Sequence, residues 1–512
     1  MNHGFTRLVC VAVLSMILPL VVSASAGVEQ SDTDKSTSTA DHGKFEALQQ
    51  EFKTGPDVTK ASLTCHTEAS KQLHQTKHWN WKFTNPSTGQ TVGKQTVINN
   101  FCLSVTMNEP RCTSCHIGYG WKDESFDFSS EENVDCLVCH DTTGEYKKIP
   151  GLSGHPNYER MEWPPHSGKF REPVDLKKVA QNVGKTSRAT CGACHFYGGG
   201  GNAVKHGDLD NSLQNPLRYL DIHMDAKGLN FSCGKCHLSD SHEVSGSRYA
   251  PTAADDKGVL MRGKADGRNP TTCVACHGNT PHEGNNFVTA KLNSHTDKIA
   301  CQTCHIPEFA RGNVSTKMTW DWSQAGKLKD GKPYKTEDEF GKHDYLTIKG
   351  AFKWAKNVTP EYFWYNGVIK SVTAQDMIDP GQVVPVSAPV GSPEDADSRI
   401  YPFKVHRGKQ PYDKVNKTLL VPLLSGDDGY WKTLDWQRAL STGQASVGLP
   451  YSGQFDFVET SYVFPATHMV APKEKALACN DCHTRQDSRL ASVAGVYMPG
   501  RDRFDLLNTF GW

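Results

Sequence analysis

The 512-residue sequence balances 56 Lys+Arg against 56 Asp+Glu, which excludes the basic stripe of a nucleic-acid binder and the acidic block of a solvating tail. Hydrophobic residues are 37% of the chain and mean hydropathy is −0.55, little apolar side chain with which to fill so long a protein. The 11 Trp and an aromatic share of 9% exclude wholesale disorder, so the composition calls for a core component other than side chains.

Along the chain, the first element reads as an export signal. Arg7 precedes an apolar run over residues 8–22, too short to span a bilayer comfortably, and Ala24, Ser25 and Ala26 supply a small-residue cleavage site. An uncleaved membrane anchor is the alternative. Residues 1–26 are therefore expected to be a signal peptide, and the mature chain to be soluble and periplasmic or otherwise exported, with no later transmembrane segment. Residues 27–43, rich in Ser, Thr and Asp, read as a flexible lead-in. The rest, 44–512, is expected to be one unit: a main cofactor-binding region over 44–305, a wrapping region over 306–470, and a last site over 471–512.

Cysteine spacing carries the chemistry. Of 17 cysteines, fourteen fall in seven Cys-x-x-Cys-His motifs. These are Cys112, Cys115 and His116; Cys136, Cys139 and His140; Cys191, Cys194 and His195; and Cys233, Cys236 and His237. Three more follow: Cys273, Cys276 and His277; Cys301, Cys304 and His305; and Cys479, Cys482 and His483. The residue frequencies predict about 0.02 such motifs by chance. Two thiols three positions apart reach both vinyl groups of one haem, and the adjacent His falls beneath the iron as proximal ligand. Disulfides and zinc ribbons also use paired cysteines, but neither explains a His after every pair.

Three cysteines remain. Cys10 lies inside the apolar run. Cys65 precedes His66 in a motif whose first Cys is replaced by Ser62, and Cys102 stands alone ahead of the Cys112 motif. Either Cys65 holds an eighth haem c through a single thioether with His66 as ligand, or that haem is absent and Cys65 is free to bond Cys102.

Electron-transfer haems commonly take a second His. His223, His242, His282, His295 and His468 stand close to motifs and are the first candidates; His74, His78, His155, His166 and His206 form a second group. His42, His343 and His406 are left unassigned. Residues 44–52 and 176–182 read as helices, and a helix near 472–477 is expected to deliver the last motif. Four glycines at 198–201 require a loop in which backbone passes close to a neighbour. The motif-free stretch, with Trp320, Trp322, Trp354, Trp364, Trp431 and Trp436, is expected to wrap the array with loops and some short strands. The expected fold class is mainly α with extensive irregular loops and minor β, a multihaem cytochrome c scaffold folded around a haem array.

Three runs resemble the octahaem tetrathionate reductase family: residues 111–121 around Cys112, residues 191–201 leading to Lys205-His206-Gly207-Asp208, and residues 467–473 around His468. That family is related in haem packing to hydroxylamine oxidoreductases and pentahaem nitrite reductases, and its members reduce tetrathionate to thiosulfate and act on nitrite and hydroxylamine. The resemblance implies a catalytic haem on Cys112, Cys115 and His116, with Lys205 as its distal ligand. A neutral amine binds iron less stubbornly than imidazole and yields to substrate; burial against a metal cation makes its deprotonation feasible. Cys102 is the other catalytic candidate, since a lone thiol near such a haem could attack a sulfur–sulfur bond. His206, Arg407 and Lys409 are candidate cations for an anionic substrate. The chain departs from the family at Ser62, and at Asn202, where the resemblance sets Asp. It implies a small inorganic substrate and a quinol-linked or periplasmic cytochrome electron donor. A hydroxylamine-oxidising enzyme and an electron carrier with no substrate site are the alternatives.

Overall fold

The computed structural model describes Met1 and residues 38–85, 88–165, 167–246, 271–484 and 486–496. The expected signal peptide after Met1, the lead-in as far as residue 37, and His166 lie outside the described residues. No helix among the described residues is long and apolar enough to cross a membrane.

The motif-bearing half is built from short helices joined by loops. Helix α1, Gly55–Leu63, starts with a reciprocal cap in which Thr54 Oγ1 accepts from the Asp57 amide and Asp57 accepts from the Thr54 amide, with Pro56 in the first turn. Helix α2, Arg188–His195, is capped in the same way by Ser187 and Thr190 and ends on a motif histidine. The helices at Leu137–His140, Cys233–Cys236, Val274–His277, Cys301–His305 and Cys479–Cys482 are single turns. Isolated turns of that length do not persist in water, because nucleation costs more than one hydrogen bond returns; each depends on what its cysteines hold. The expected helix over 176–182 forms as Leu176–Gln181, whereas 44–52 makes two 3₁₀ turns and 472–477 only the 3₁₀ turn Lys473–Lys475.

The expectation of a mainly α fold is wrong. The protein is 23% helix and 20% strand, so strands rival helices. The motif-free region folds into a nine-stranded sheet. Its strands are β1 (Thr316–Asp321), β2 (Lys335–Glu337), β3 (His343–Leu346), β4 (Gly350–Ala355), β5 (Glu361–Tyr365), β6 (Ile369–Ser371), β7 (Val384–Pro389), β8 (Arg399–Asp413) and β9 (Phe455–Pro465). The order is β6-β7-β9-β8-β1-β4-β3-β2, with β5 added to the first half of β8. The fifteen-residue β8 is the spine: antiparallel to β9 from Phe403↔Pro465 to Asp413↔Phe455, and parallel to β1 at Arg407↔Thr319.

One face of the sheet buries Trp320, Trp322, Phe352, Tyr430 and Phe464 in the largest apolar cluster. Each such side chain contributes about 1.5–3 kcal/mol on burial. Trp322 also donates Nε1–H to the Phe101 carbonyl, at 2.8 Å. Asn100 is clamped to β8 by its Nδ2 donating to the His406 carbonyl at 3.0 Å and its Oδ1 lying 2.9 Å from His406 Nδ1. The sheet thereby positions the loop that carries Cys102.

Candidate functional site

A cavity of ≈ 2420 Å³ runs through the motif-bearing half, and its wall includes cysteines from Cys65 to Cys304. Across it, and at its edge in the case of His483, histidine rings face each other in pairs. His42 faces His66 at 6.3 Å between ring centres, His78 faces His195 at 6.2 Å, and His223 faces His277 at 6.0 Å. His468 faces His237 at 6.1 Å, His282 faces His305 at 6.4 Å, and His295 faces His483 at 6.0 Å. Each pair joins a motif histidine to one from elsewhere. Two iron–nitrogen bonds of about 2 Å, with each nitrogen about 1.1 Å from its ring centre, place two axial imidazoles about 6.2 Å apart. The gaps fit an iron porphyrin between the rings.

Hydrogen bonds aim the rings. Nδ1 of His140 donates to the Gly184 carbonyl at 2.7 Å and Nδ1 of His237 to the Ser245 carbonyl at 2.9 Å. A carbonyl on Nδ1 requires the proton there, which leaves the Nε2 lone pair for a metal. Nδ1 of His242 meets Gln72 Oε1 at 2.8 Å, that of His282 meets Asn293 Oδ1 at 3.1 Å, and that of His468 meets Asp208 Oδ2 at 3.1 Å. His242 lines the same cavity as His140, and burial together with His140 depresses its basicity.

His116 breaks the pattern. Its motif leaves the helix early, in a 3₁₀ turn at Thr113–Cys115, and His116 is extended. Its ring is fully buried among Trp79, Trp81, Trp121, Phe126 and Phe128, with Nε2 2.7 Å from the Trp79 carbonyl oxygen and Nδ1 unpartnered. Burial holds this imidazole down to about 3. Cys115 lies on the cavity wall and His116 does not; Lys205 does. The glycine loop explains how Lys205 is placed there. A Cβ at Gly198 would stand 3.2 Å from Lys205 Cδ, and Gly199 (φ +78°) packs its backbone against Val204. From β8, the buried Lys404 amine donates to the carbonyls of Val204 and Lys205 at 3.0 and 3.1 Å and to Thr316 Oγ1 at 2.6 Å.

Residues 317–486 match the family model described as Cytochrome c bacterial, and residues 61–141 and 232–306 match that of Cytochrome c554 and c-prime. An uncharacterized protein of Archaeoglobus fulgidus is 23% identical over 300 residues, 51% of this chain and 97% of its own length. The crystal structure of an octaheme cytochrome c from Shewanella oneidensis superposes with a TM-score of 0.77 at 41% identity, over 89% of this chain and 97% of that one. The chain belongs to the octahaem c-type cytochromes. It binds haem c.

Within this octahaem cytochrome the motifs adjoin one another. Cys115 and Cys194 lie close enough to act on each other, as do Cys191 and Cys233, and Cys273 and Cys301. Cys236 and Cys276 bear on each other electrostatically, as do Cys304 and Cys482. The motifs thus form a continuous path from Cys112 to Cys482.

Other candidates fall elsewhere. His74 stacks on Trp79 at 4.6 Å and His155 on Tyr119 at 5.4 Å, and neither lines the cavity. His206 lines it, with its ring 4.9 Å from Phe464. Arg407 is committed to Glu361 through two bonds of 2.7 and 2.9 Å. Asn202 exchanges hydrogen bonds with Asn211. Cys65 and Cys102 are both free thiols, Cys65 exposed on the cavity wall and Cys102 packed beside the tryptophan cluster. Sequence reasoning left out His42, Asp208 and Lys404. Asp208 had a signal, three positions beyond Lys205; the other two are joined to the site only by the fold.

Proposed function

We propose that this octahaem cytochrome is an exported reductase of small inorganic substrates, tetrathionate first and nitrite or hydroxylamine besides, acting at the Cys112–Cys115 site. The observation that carries the reading is the exception among the motifs. Six motif-type histidines face a second histidine ring and His140 shares its wall with His242, whereas His116 is turned into an aromatic cage and Lys205 stands on the wall with Cys115. Haem c held at these positions would supply electron storage and, at the Cys112–Cys115 site, a Lewis-acidic iron.

Lys205 is then the protein ligand at the substrate site, and His116 serves as packing rather than as the proximal ligand. The bis-imidazole sites are His66 with His42, His140 with His242, His195 with His78, His237 with His468, His277 with His223, His305 with His282, and His483 with His295. The Cys65 site keeps its haem despite Ser62, because His42 and His66 span the same gap as the intact sites. Lys404 fixes the Lys205 main chain. Cys102 is the nucleophile towards tetrathionate: its thiolate attacks a central sulfur, one thiosulfate leaves, and the Cys102 S-thiosulfonate takes two electrons from the external donor to release a second thiosulfate and restore the thiolate. The resemblance to tetrathionate reductases supports this choice of substrate. Residues 27–512 form the mature unit, with a quinol-linked or periplasmic cytochrome as donor.

Turnover of tetrathionate, nitrite and hydroxylamine with a reduced dye tests the reading. Lys205→Met is expected to keep every haem attached and reducible and to lose at least about a hundredfold in turnover, the scale of removing one group that acts on the transition state. Unchanged turnover would remove Lys205 from the mechanism.

A further inference from the structure

Beside the Cys112 site lies a set of basic groups that the mechanism above does not use. Cys102 sits on the loop clamped by Trp322 and Asn100 and packs against the cluster that contains Trp320. Three cations converge on that cluster. The Lys317 side chain is 5% exposed, and its Nζ lies 4.0 Å from the Trp320 ring centre and 3.4 Å from that of Phe352. Lys349 Nζ lies 5.8 Å from Trp320 and 5.0 Å from Trp431, and the guanidinium of Arg111, the residue before Cys112, lies 5.0 Å from the same Trp431 ring.

Among the described residues none of the three forms an ion pair with a carboxylate. Glu109 acts on this corner through Cys112. His406 stands beside them. It is fully buried, its Nδ1 is taken by Asn100, its Nε2 has no partner, and its ring is 4.2 Å from Phe101. Burial, then Lys404 and Lys317, hold its basicity well below the ordinary histidine value, so it faces the cluster as a neutral ring. Burial depresses the Lys317 and Lys349 amines, and in both cases the Cys102 sulfur works in the opposite direction.

Cations gathered without counter-ions in a low-dielectric pocket are costly unless an anion is meant to join them. Aromatic faces hold such cations in place without neutralising them. We propose that Arg111, Lys317 and Lys349 form a cationic cradle around Cys102 that binds oxyanions of sulfur or nitrogen and presents them to that thiol and to the Cys112 site. The proposal rests on the catalytic reading of that site and names its substrate class: anions are captured by the cradle, whereas neutral hydroxylamine gains nothing from it. Arg407 and Lys409, the cations suggested by the sequence, are not part of it.

The test uses the haem-loaded protein and two alkylating reagents. Iodoacetate is anionic and iodoacetamide neutral, so the ratio of their rates at Cys102, read by peptide mass spectrometry, reports local charge and cancels any change in thiolate fraction. Relative to an unfolded Cys102 peptide, the wild type is expected to favour iodoacetate by about tenfold, the low end of electrostatic enrichment in charged clefts. The preference is expected to fall to within about twofold of the peptide in Lys317→Met/Lys349→Met, to persist in Lys317→Arg, and to be suppressed by thiosulfate in the wild type only. Arg111→Gln, at the rim, serves as a second variant should the double variant fail to fold. A ratio equal to that of the peptide in the wild type, a ratio unmoved by the substitutions, or a Cys102 inert to both reagents overturns the cradle. Turnover measured beside the ratio separates the two claims. Anion preference that survives in Lys205→Met leaves the cradle standing whatever becomes of turnover, whereas anion preference in a wild type that turns over none of the three substrates sinks the catalytic reading alone.

Discussion

His468 differs from its counterparts in what holds its Nδ1. Asp208 is 2% exposed and accepts from that nitrogen and from the amides of Thr467 and His468, at 2.8 and 3.0 Å. Burial alone would raise the carboxyl, yet the bond to His468 and its charge win and hold Asp208 well below the usual carboxylate range; His468 is raised in return against its own burial. A carboxylate behind an axial imidazole makes it a stronger donor to the oxidised metal. Asp208→Asn is therefore expected to raise the midpoint potential of one haem by roughly 60 mV, a tenfold change for one electron, in a spectroelectrochemical titration. Eight unmoved potentials would refute this role. At the broken motif, intact-mass measurement is expected to count eight haems in the wild type and seven in Cys65→Ala; seven in both would show that Cys65 holds none. The intact motifs are legible because thioether chemistry demands a fixed local spacing. The second histidines are legible only in part. His223, His242, His282, His295 and His468 announce themselves by standing close to motifs, but topology decides which rings meet: His42 stands upstream of the helix leading to its partner, and His74, one turn from His78, faces Trp79 instead.

At the scale of elements, the segment after Cys115 hangs on a buried ion pair. Lys148 and Asp135 lie 3.1 Å apart with side chains 2% and 0% exposed. Tyr119 and Tyr146 donate to Asp135 at 2.8 and 3.0 Å, and Lys148 also donates to the carbonyls of His116 and Gly118. Replacing only the cation leaves an uncompensated charge and frees the turn that cages His116. Lys148→Met is expected to destabilise the folded protein by about 3–5 kcal/mol in denaturant unfolding; a loss below about 1 kcal/mol would mean that the pair contributes as little as a surface one. The sheet was the least legible part of the fold. Strands show themselves by alternation, but β8 is buried from Arg399 to Val405 on both faces and carries Pro402, Lys404 and Pro411, residues that read as loop or surface. The lysine is tolerated there because two carbonyls and a hydroxyl receive its amine.

For the whole molecule, the low apolar content and the single-turn helices have one explanation. The motif-bearing half encloses a cavity where another protein would have side chains, and the sheet supplies the conventional core beside it. The adjoining motifs line that cavity, and under the proposed function they make it a path for electrons that ends at the Cys112 site, whose histidine is turned away. Electron paramagnetic resonance and near-infrared magnetic circular dichroism of the ferric protein test this arrangement most directly. The account predicts seven bis-histidine haems and one haem with an amine ligand and no bis-imidazole signature, the latter alone changing in Lys205→Met. Bis-histidine signals from every haem, unchanged in that variant, would contradict it.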